Sequence, residues 1–310
     1  MSLFGVDMII LRVVYFTDNG KKVAEKLKGP FYIETKPEDI SLSDWTRDCF
    51  DMHLPVVFIS SVGIAVRTIA PFITSKLKDS PVIVIDELGK NVIPILSGHF
   101  GGANELARVI AKEIAATPVI TTATDLNNVF AVDVFAKKNG LRICDKSKIK
   151  EVSGKALRGE ELEIIQKDEE IIIEGLKLIP KRLILGIGCK KGKTFEDIKA
   201  FVNMYYSDEE LEENLYGIAS IDVKSEEVGL VKLAEFYGVP FVTFSSDELE
   251  AVEGDFNESS FVKEQVGVGN VCERSALLLA GEGGNLAMNK TASDGITLAA
   301  AVRFNIVLVW

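Results

Sequence analysis

Short apolar runs alternate with amphipathic stretches through the first half of the chain, and their spacing predicts a βα order. Asp7 to Phe16 is almost wholly apolar and reads as a buried strand. A helix over about 19–28, a short strand over 31–34 and an amphipathic helix ending before Met52 follow. Pro55 to Ser61 is a second strong strand and runs directly into a helical pattern over Val62 to Ala70. Val82 to Glu87 is a near-continuous apolar strand ending in two carboxylates. Lys90 to Leu96 alternates and is rich in Val and Ile, so it too reads as a strand. Asn104 to Ile114 repeats its apolar positions at helical spacing, and Val119 to Thr121 reads as the next strand. Such apolar runs belong to a parallel sheet covered on both faces.

The pattern changes after a helix over Val129 to Gly140 and a strand over Leu141 to Asp145. Lys146 to Pro180 mixes charged residues with two short Ile-rich runs, Glu161 to Ile165 and Glu170 to Ile173, which predict a small strand pair. A second α/β unit starts at Lys181, with strands over Leu183 to Gly188, Gly217 to Asp222 and Val239 to Phe244. Helices are expected near Phe195, over Leu230 to Tyr237, near Ser246 and over the apolar run after Gly267. Closing strands over 285–288 and 296–309 bring this sheet to about five strands. The fold class is therefore α/β: open, mostly parallel sheets with helices on both faces, in two domains, 1–145 and 181–310, joined by a small connector subdomain, 146–180.

Composition narrows the function. With 310 residues, 47% of them hydrophobic, the chain can bury a sizeable core and divide into two or three domains. A formal net charge of -11 argues against non-specific nucleic-acid binding, and any anionic ligand must be met by local positive groups. The opening apolar run is short and broken by Arg12, so neither a signal peptide nor a membrane span is expected. Cys49, Cys144, Cys189 and Cys272 have no metal-ligand spacing. They read as reduced thiols of a cytoplasmic protein without structural zinc.

Candidate chemistry gathers between Ile95 and Asp125. Gly98, Gly101 and Gly102 permit backbone angles and close approaches that a Cβ forbids, and they lead into a helix whose start offers free N–H groups to a carboxylate or phosphate. His99, one of only two histidines, stands among them with Ser97 and Asn104, and the next strand delivers Thr121, Thr122 and Asp125. The strand ends at Ser60-Ser61 and Asp86-Glu87 are expected to share one sheet edge with these groups, because open parallel sheets bind ligands at their C-terminal edge. Asp86, Glu87 or Asp125 can then act as a base or orient His99. An ordinary structural reading stands beside each: glycines for a tight turn, Asp125 as a helix cap, Asp86 and Glu87 as turn formers before Leu88-Gly89-Lys90, and Arg67 as a solvated helix residue. In the second unit Gly188 to Thr194 invites comparison with a P-loop, but Ile187 stands where that motif needs glycine. What remains is a local anion site, with Lys190, Lys191 and Lys193 beside free N–H groups and Lys224 and Lys290 following strands. The acidic run from Asp208 to Glu213 reads as a solvated face.

These residues carry a family resemblance that spans nearly the whole chain. Ser60-Ser61-Val62-Gly63-Ile64-Ala65-Val66-Arg67, Leu96-Ser97-Gly98-His99-Phe100-Gly101-Gly102-Ala103-Asn104 and Thr121-Thr122-Ala123-Thr124-Asp125 resemble the CbiG family of anaerobic cobalamin biosynthesis. The second unit is similar to the family's C-terminal domain through Gly186-Ile187-Gly188-Cys189-Lys190-Lys191-Gly192, Ser220 to Lys224, Val266-Gly267-Val268 and Lys290. Two departures stand out: Ser80 between Asp79 and Pro81, and Cys272-Glu273-Arg274-Ser275 in place of a more alanine-rich helix.

The resemblance implies a cobalt-precorrin-5A hydrolase, in which water opens the δ-lactone of the macrocycle and acetaldehyde leaves. It implies His99 as base or proton shuttle, with the amides of Gly101 and Gly102 and the Asn104 side chain binding an oxyanion or carboxylate. Ser60, Gly63, Arg67, Ser97, Gly98, Thr121, Thr122, Gly188, Lys190, Lys191, Gly192, Lys224 and Lys290 would bind the substrate, an anionic cobalt-corrinoid. The cobalt comes with the substrate, so neither a protein-bound metal nor an organic cofactor is expected. A homodimer, and transient contact with other enzymes of the route, are compatible with this reading. Two alternatives of other classes stand beside it: a non-catalytic tetrapyrrole carrier, and a nucleotide-binding switch built on Lys190 to Thr194.

Overall fold

A computed structural model describes residues 9–29, 31–75, 79–98, 101–122, 130–167, 170–306 and 308. The first sheet holds β1 (Ile9–Tyr15), β2 (Phe31–Thr35), β3 (Val56–Ile59), β4 (Val82–Ile85), β5 (Asn91–Leu96) and β6 (Thr117–Pro118), in the order β2-β1-β3-β4-β5-β6. Side chains alternate between faces along each strand, and two helical layers use that alternation. Val57, Ile59, Ile83 and Ile85 pack under α1 (Asp18–Ala24) and α4 (Ala103–Ile114). Val56, Phe58, Val82 and Val84 pack under α2 (Leu42–Asp51) and α3 (Val62–Ile69), where Trp45, Phe50 and Ile69 close the layer.

Strand direction is the main departure from expectation. β1, β2, β3 and β4 run parallel, but β5 runs antiparallel to β4, with Val82 opposite Leu96 and Ile85 opposite Val92. Only Asp86 to Lys90 separate the two strands, too few residues for the crossover that a parallel neighbour needs. No strand forms over the expected Val119 to Thr121; the two residues ahead of it, Thr117–Pro118, pair with the start of β5 instead.

The middle unit begins earlier than residue 146. β7 (Leu141–Ile143) pairs with β10 (Leu176–Pro180), giving an antiparallel sheet β7-β10-β9-β8 with β8 (Ile164–Gln166) and β9 (Ile171–Ile173). Val132, Phe135 and Ala136 of α5 (Val132–Lys138) and Val152 of α6 (Ile149–Leu157) cover it. The predicted strand pair is therefore half of a four-stranded sheet whose core starts at about residue 130.

In the last unit the order is β13-β12-β11-β15-β14, built from β11 (Leu183–Cys189), β12 (Leu215–Ile221), β13 (Phe241–Phe244), β14 (Asn285–Ser293) and β15 (Ile296–Val302). The expected five strands are present, although β15 stops at Val302 and runs antiparallel to β11. Its helices are α7 (Phe195–Val202), α8 (Asp208–Asn214), α9 (Val228–Tyr237), α10 (Ser246–Glu250), α11 (Ser260–Val266) and α12 (Val271–Ala280). Gly186 is required where α12 crosses β11, since a Cβ there would lie 1.8 Å from the Cys272 carbonyl oxygen. The α9 helix docks this unit on the first sheet. The Ile10 amide donates to Glu235 Oε1 at 2.9 Å, Lys232 pairs with Glu34 at 2.8 Å, and the Phe236 ring meets that of His53.

Candidate active site

The antiparallel β5 decides where the glycine-rich loop stands. It carries Ser97 and Gly98 to the end of the sheet where β4 begins, beside Asp79 and Ser80. Asp86, Glu87, Ser60, Gly63 and Arg67 follow the other ends of β4 and β3. Four strand residues at about 3.3 Å each place these sets roughly 10 Å or more apart. The expectation of one shared edge is therefore corrected. The described residues form two groups at opposite ends of β4.

At the first end, Ser97 adopts a left-handed backbone (φ 53) and is buried, and its Oγ donates to the Asp79 carbonyl oxygen at 2.7 Å. Gly101 passes so close that a Cβ would lie 2.5 Å from Ser97 Cβ, and one on Gly98 would lie 2.6 Å from Asn104 Oδ1. Gly102 (φ 87) caps α4. The amides of Ala103 and Asn104 turn back to the carbonyl oxygens of Ser97 and Gly98 at 3.2 and 2.9 Å, so two of the expected anion donors serve the loop itself. Asn104 is buried and gives its Nδ2 to Thr122 Oγ1 at 3.0 Å, and Thr121 precedes that contact in the chain. The expected oxyanion donor Asn104 thus ties α4 to the segment after β6. His99, Phe100 and Asp125 lie outside the described residues.

Asp79, which the sequence reading did not single out, belongs to this group. Its Oδ1 accepts from the Thr74 amide and hydroxyl, both at 2.9 Å, and from the Ser75 amide at 3.0 Å, while its buried Oδ2 has no hydrogen-bond partner. The signal was present as a carboxylate just ahead of Ser80-Pro81 and the β4 run, at the point where the sequence departs from the family.

At the other end Asp86 is consumed by the turn. It accepts from the amides of Leu88 (2.9 Å), Lys90 (3.3 Å) and Asn91 (2.5 Å) and from Asn91 Nδ2 (2.9 Å). Burial opposes its charge, but the bonds from Lys90, Asn91 and Leu88 outweigh that and hold the carboxyl below its usual range. This is a turn anchor with no capacity left for a base. Glu87 and Arg67 are exposed, and the Arg67 guanidinium lies 3.4 Å from where a Gly63 Cβ would be. Ser60 Oγ donates to the Ser61 carbonyl oxygen at 3.1 Å.

The last unit gathers its basic loop at the C-terminal ends of β11 and β12. Much of that positive charge already has an internal partner. Glu227 takes the Gly192 amide (2.8 Å) and Lys224 Nζ (2.7 Å), and Lys193 pairs with Asp294 (2.7 Å). Lys190 and Lys191 are exposed, and Gly188 fits against Thr297, whose Oγ1 would lie 2.7 Å from an added Cβ. Burial pushes the neighbouring Cys189 thiol up to about 11.

Lys290 lies within β14 rather than after a strand. Its amide donates to Glu273 Oε1 at 2.7 Å and its Nζ to the Asn257 carbonyl oxygen at 3.2 Å. The polar residues that replace an alanine-rich helix also have structural work. Arg274 is buried and donates to the carbonyl oxygens of Leu249, Glu250 and Val252 and to Glu258, tying α12 to the 249–258 segment.

Among the described residues no group of three or more His, Cys, Asp or Glu is placed to hold a metal ion, and no helix is long and apolar enough to cross a membrane. Fold and site together define a three-sheet α/β protein with a glycine-rich polar loop on the first sheet and a lysine-rich loop on the last. The models of cobalamin synthesis G match both halves, the N-terminal one over 44–125 and the C-terminal one over 183–301. The cobalt-precorrin-5A hydrolase of Salmonella typhimurium is 32% identical over 319 residues, covering 90% of each chain. That of Priestia megaterium is 30% identical over 299 residues, covering 82% of this chain and 79% of that one. Protein CobE of Sinorhizobium sp. is 30% identical over 121 residues, 38% of this chain and 79% of its own length. The chain belongs to the cobalamin synthesis G family and has a role in cobalamin biosynthesis.

Proposed function

We propose that the chain is a cytoplasmic hydrolase that opens the δ-lactone of cobalt-precorrin-5A and releases acetaldehyde, giving cobalt-precorrin-5B. The observation that carries this reading is similarity along nine-tenths of the chain to a relative named cobalt-precorrin-5A hydrolase. Water adds to the lactone carbonyl carbon and the ring C–O bond breaks, leaving a carboxylate and a secondary alcohol. The alcohol then loses its proton as the adjacent C–C bond breaks, and acetaldehyde departs while the macrocycle takes up a proton. The cobalt enters and leaves with the substrate, and the chain supplies no cofactor of its own.

The first step needs a base for water and donors for the oxyanion. His99 is proposed as the base and the amides of Gly101 and Gly102 as donors. In support, the described residues on either side of His99 are pinned: Ser97 to Asp79, and the start of α4 to Ser97 and Gly98. Lys190 and Lys191 are proposed to meet carboxylates of the macrocycle.

The test is acetaldehyde release from cobalt-precorrin-5A by the wild-type protein beside His99→Ala. Release by wild type and a loss of about 100-fold or more in the variant is the expected result. Turnover near normal in a folded His99→Ala protein removes the base assignment. Tight binding without acetaldehyde from wild type replaces the hydrolase with a carrier.

A further inference from the structure

The four-stranded sheet of the middle unit ends on β8, which has β9 on one side and no described strand on the other. Every residue from Glu163 to Lys167 is exposed, including Ile164 and Ile165, each at 42%. An open apolar edge of this kind is a template for another strand. The last sheet also ends on an open strand, β14, but there two register shifts break the ladder and Asn, Lys, Thr and Ser interrupt the apolar positions. The pairing of β8 with β9 has no such shift.

Hydrogen bonding fixes which backbone groups of β8 face outward. The Glu174 amide donates to the Glu163 carbonyl oxygen at 3.0 Å, and the Lys167 amide donates to the Glu170 carbonyl oxygen at 2.9 Å. Residues 163, 165 and 167 therefore turn their backbone groups to β9. In an antiparallel ladder the alternate residues, Ile164 and Gln166, turn theirs to the open edge.

We infer that this edge pairs with β8 of a second copy of the chain, antiparallel about a twofold axis at Ile165, so that two middle sheets join into one of eight strands. The inference is independent of the hydrolase reading. In this register Ile164 faces the partner's Gln166, Gln166 faces the partner's Ile164, and their outward amides and carbonyl oxygens close four hydrogen bonds. Ile165 meets the partner's Ile165. With Ile172, which lies opposite Ile165 on β9, the pair forms one apolar stripe through both copies. Glu163 comes opposite the partner's Lys167, and Lys167 opposite the partner's Glu163, so unlike charges flank the stripe on both sides. Within its own chain Lys167 Nζ makes a long contact to Glu170 Oε1, at 3.3 Å, and stays exposed. A surface that complements itself is what a twofold interface requires. Other registers lose the match: centring on Ile164 sets Glu163 against the partner's Ile165, and centring on Gln166 sets Ile165 against the partner's Lys167.

Five residues on each side make a small interface, so the dimer is expected to be weak and reversible. Sedimentation equilibrium of the full chain between about 1 and 500 µM is the test. Wild-type protein is expected to pass from monomer to dimer across that range. Ile165→Lys places like charges on the axis, and Glu163→Lys or Lys167→Glu places like charges on both flanks. Each should raise the dissociation constant by about tenfold or more, with an unchanged melting curve because the side chains are exposed. Combining Glu163→Lys with Lys167→Glu sets unlike charges opposite one another again and should return the constant to within about threefold of wild type. A chain that stays monomeric throughout overturns the inference and leaves the edge to a strand of another protein. A dimer indifferent to all three single substitutions, or a double variant no tighter than its singles, overturns it as well.

Discussion

The two ends of β4 look alike in sequence and differ in chemistry. Asp79 precedes the Val82–Ile85 run by a few residues and Asp86 follows it directly. Asp86 has every oxygen engaged by the Leu88 to Asn91 turn and is held charged by those bonds. Asp79 has one oxygen engaged and one without a donor, beside a loop drawn tight by Ser97, Gly98 and Asn104. A carboxylate at a strand end becomes a turn former when the fold returns donors to both of its oxygens, as it does at Asp86 and not at Asp79. Here the count is settled by the direction of the next strand, because an antiparallel β5 turns at Asp86 and delivers the glycine loop to Asp79.

Substitutions at matched positions sharpen this contrast. The largest effect on stability is expected for Gly98→Ala. Its Cβ would lie 2.6 Å from Asn104 Oδ1, and Asn104 is buried and bound to Thr122. Overpacking should cost about 1–3 kcal/mol in denaturant melts and lower turnover with it. A stable, fully active Gly98→Ala protein would break the claim that this loop is tightly set.

Asp86→Asn should be felt in stability and not in chemistry. Weakening the charge-assisted bonds from the turn should cost about 1–2 kcal/mol, read from the urea midpoint, with turnover within about twofold of wild type.

Glu235 is a buried acid where the last unit meets the first sheet, away from both ends of β4. Its folded-state pKa is raised to about 8 by burial, so the folded protein holds that proton more tightly than the unfolded chain does. Its contribution to stability is fully present below the ordinary carboxylic range and fades as pH rises toward about 8. Glu235→Gln should therefore flatten the fall in melting temperature between pH 5 and pH 8 without moving the pH profile of turnover. A profile that moves with Glu235→Gln would show the interface acid titrating in the reaction.

The smallest effect is expected for Gly63→Ala, whose new Cβ would meet only the mobile end of the exposed Arg67 at 3.4 Å. Stability within about 0.5 kcal/mol of wild type is the expected outcome of a denaturant melt.

The alternation of strand and helix was readable because Val, Ile and Leu runs such as Val82–Ile85 are buried on both faces, and burial leaves a pattern in one chain segment. Direction is a relation between segments, and the parallel habit of neighbouring strands made a single edge the natural expectation. The short Asp86 to Lys90 link held the contrary signal, since it can close a hairpin and cannot span a crossover. The boundary near residue 130 was hidden for a related reason: the helix Val132–Lys138 announces itself by period, but its cover is β7 and β9, which the chain reaches only later.

Gly98, Gly101 and Asn104 were legible as a loop of special geometry. Their partners were not, because whether an amide serves a ligand or a nearby carbonyl depends on distances of a few ångström. Asp79 escaped notice because nothing in its type or spacing marks an oxygen as unpartnered.

The comparison is tested most directly by measuring acetaldehyde release from cobalt-precorrin-5A by His99→Ala and Asp86→Asn proteins side by side, each first shown to be folded. The account predicts a fall of about 100-fold for His99→Ala and turnover within about twofold of wild type for Asp86→Asn. Loss of turnover in Asp86→Asn with His99→Ala unaffected would contradict it and return the chemistry to the opposite end of the strand.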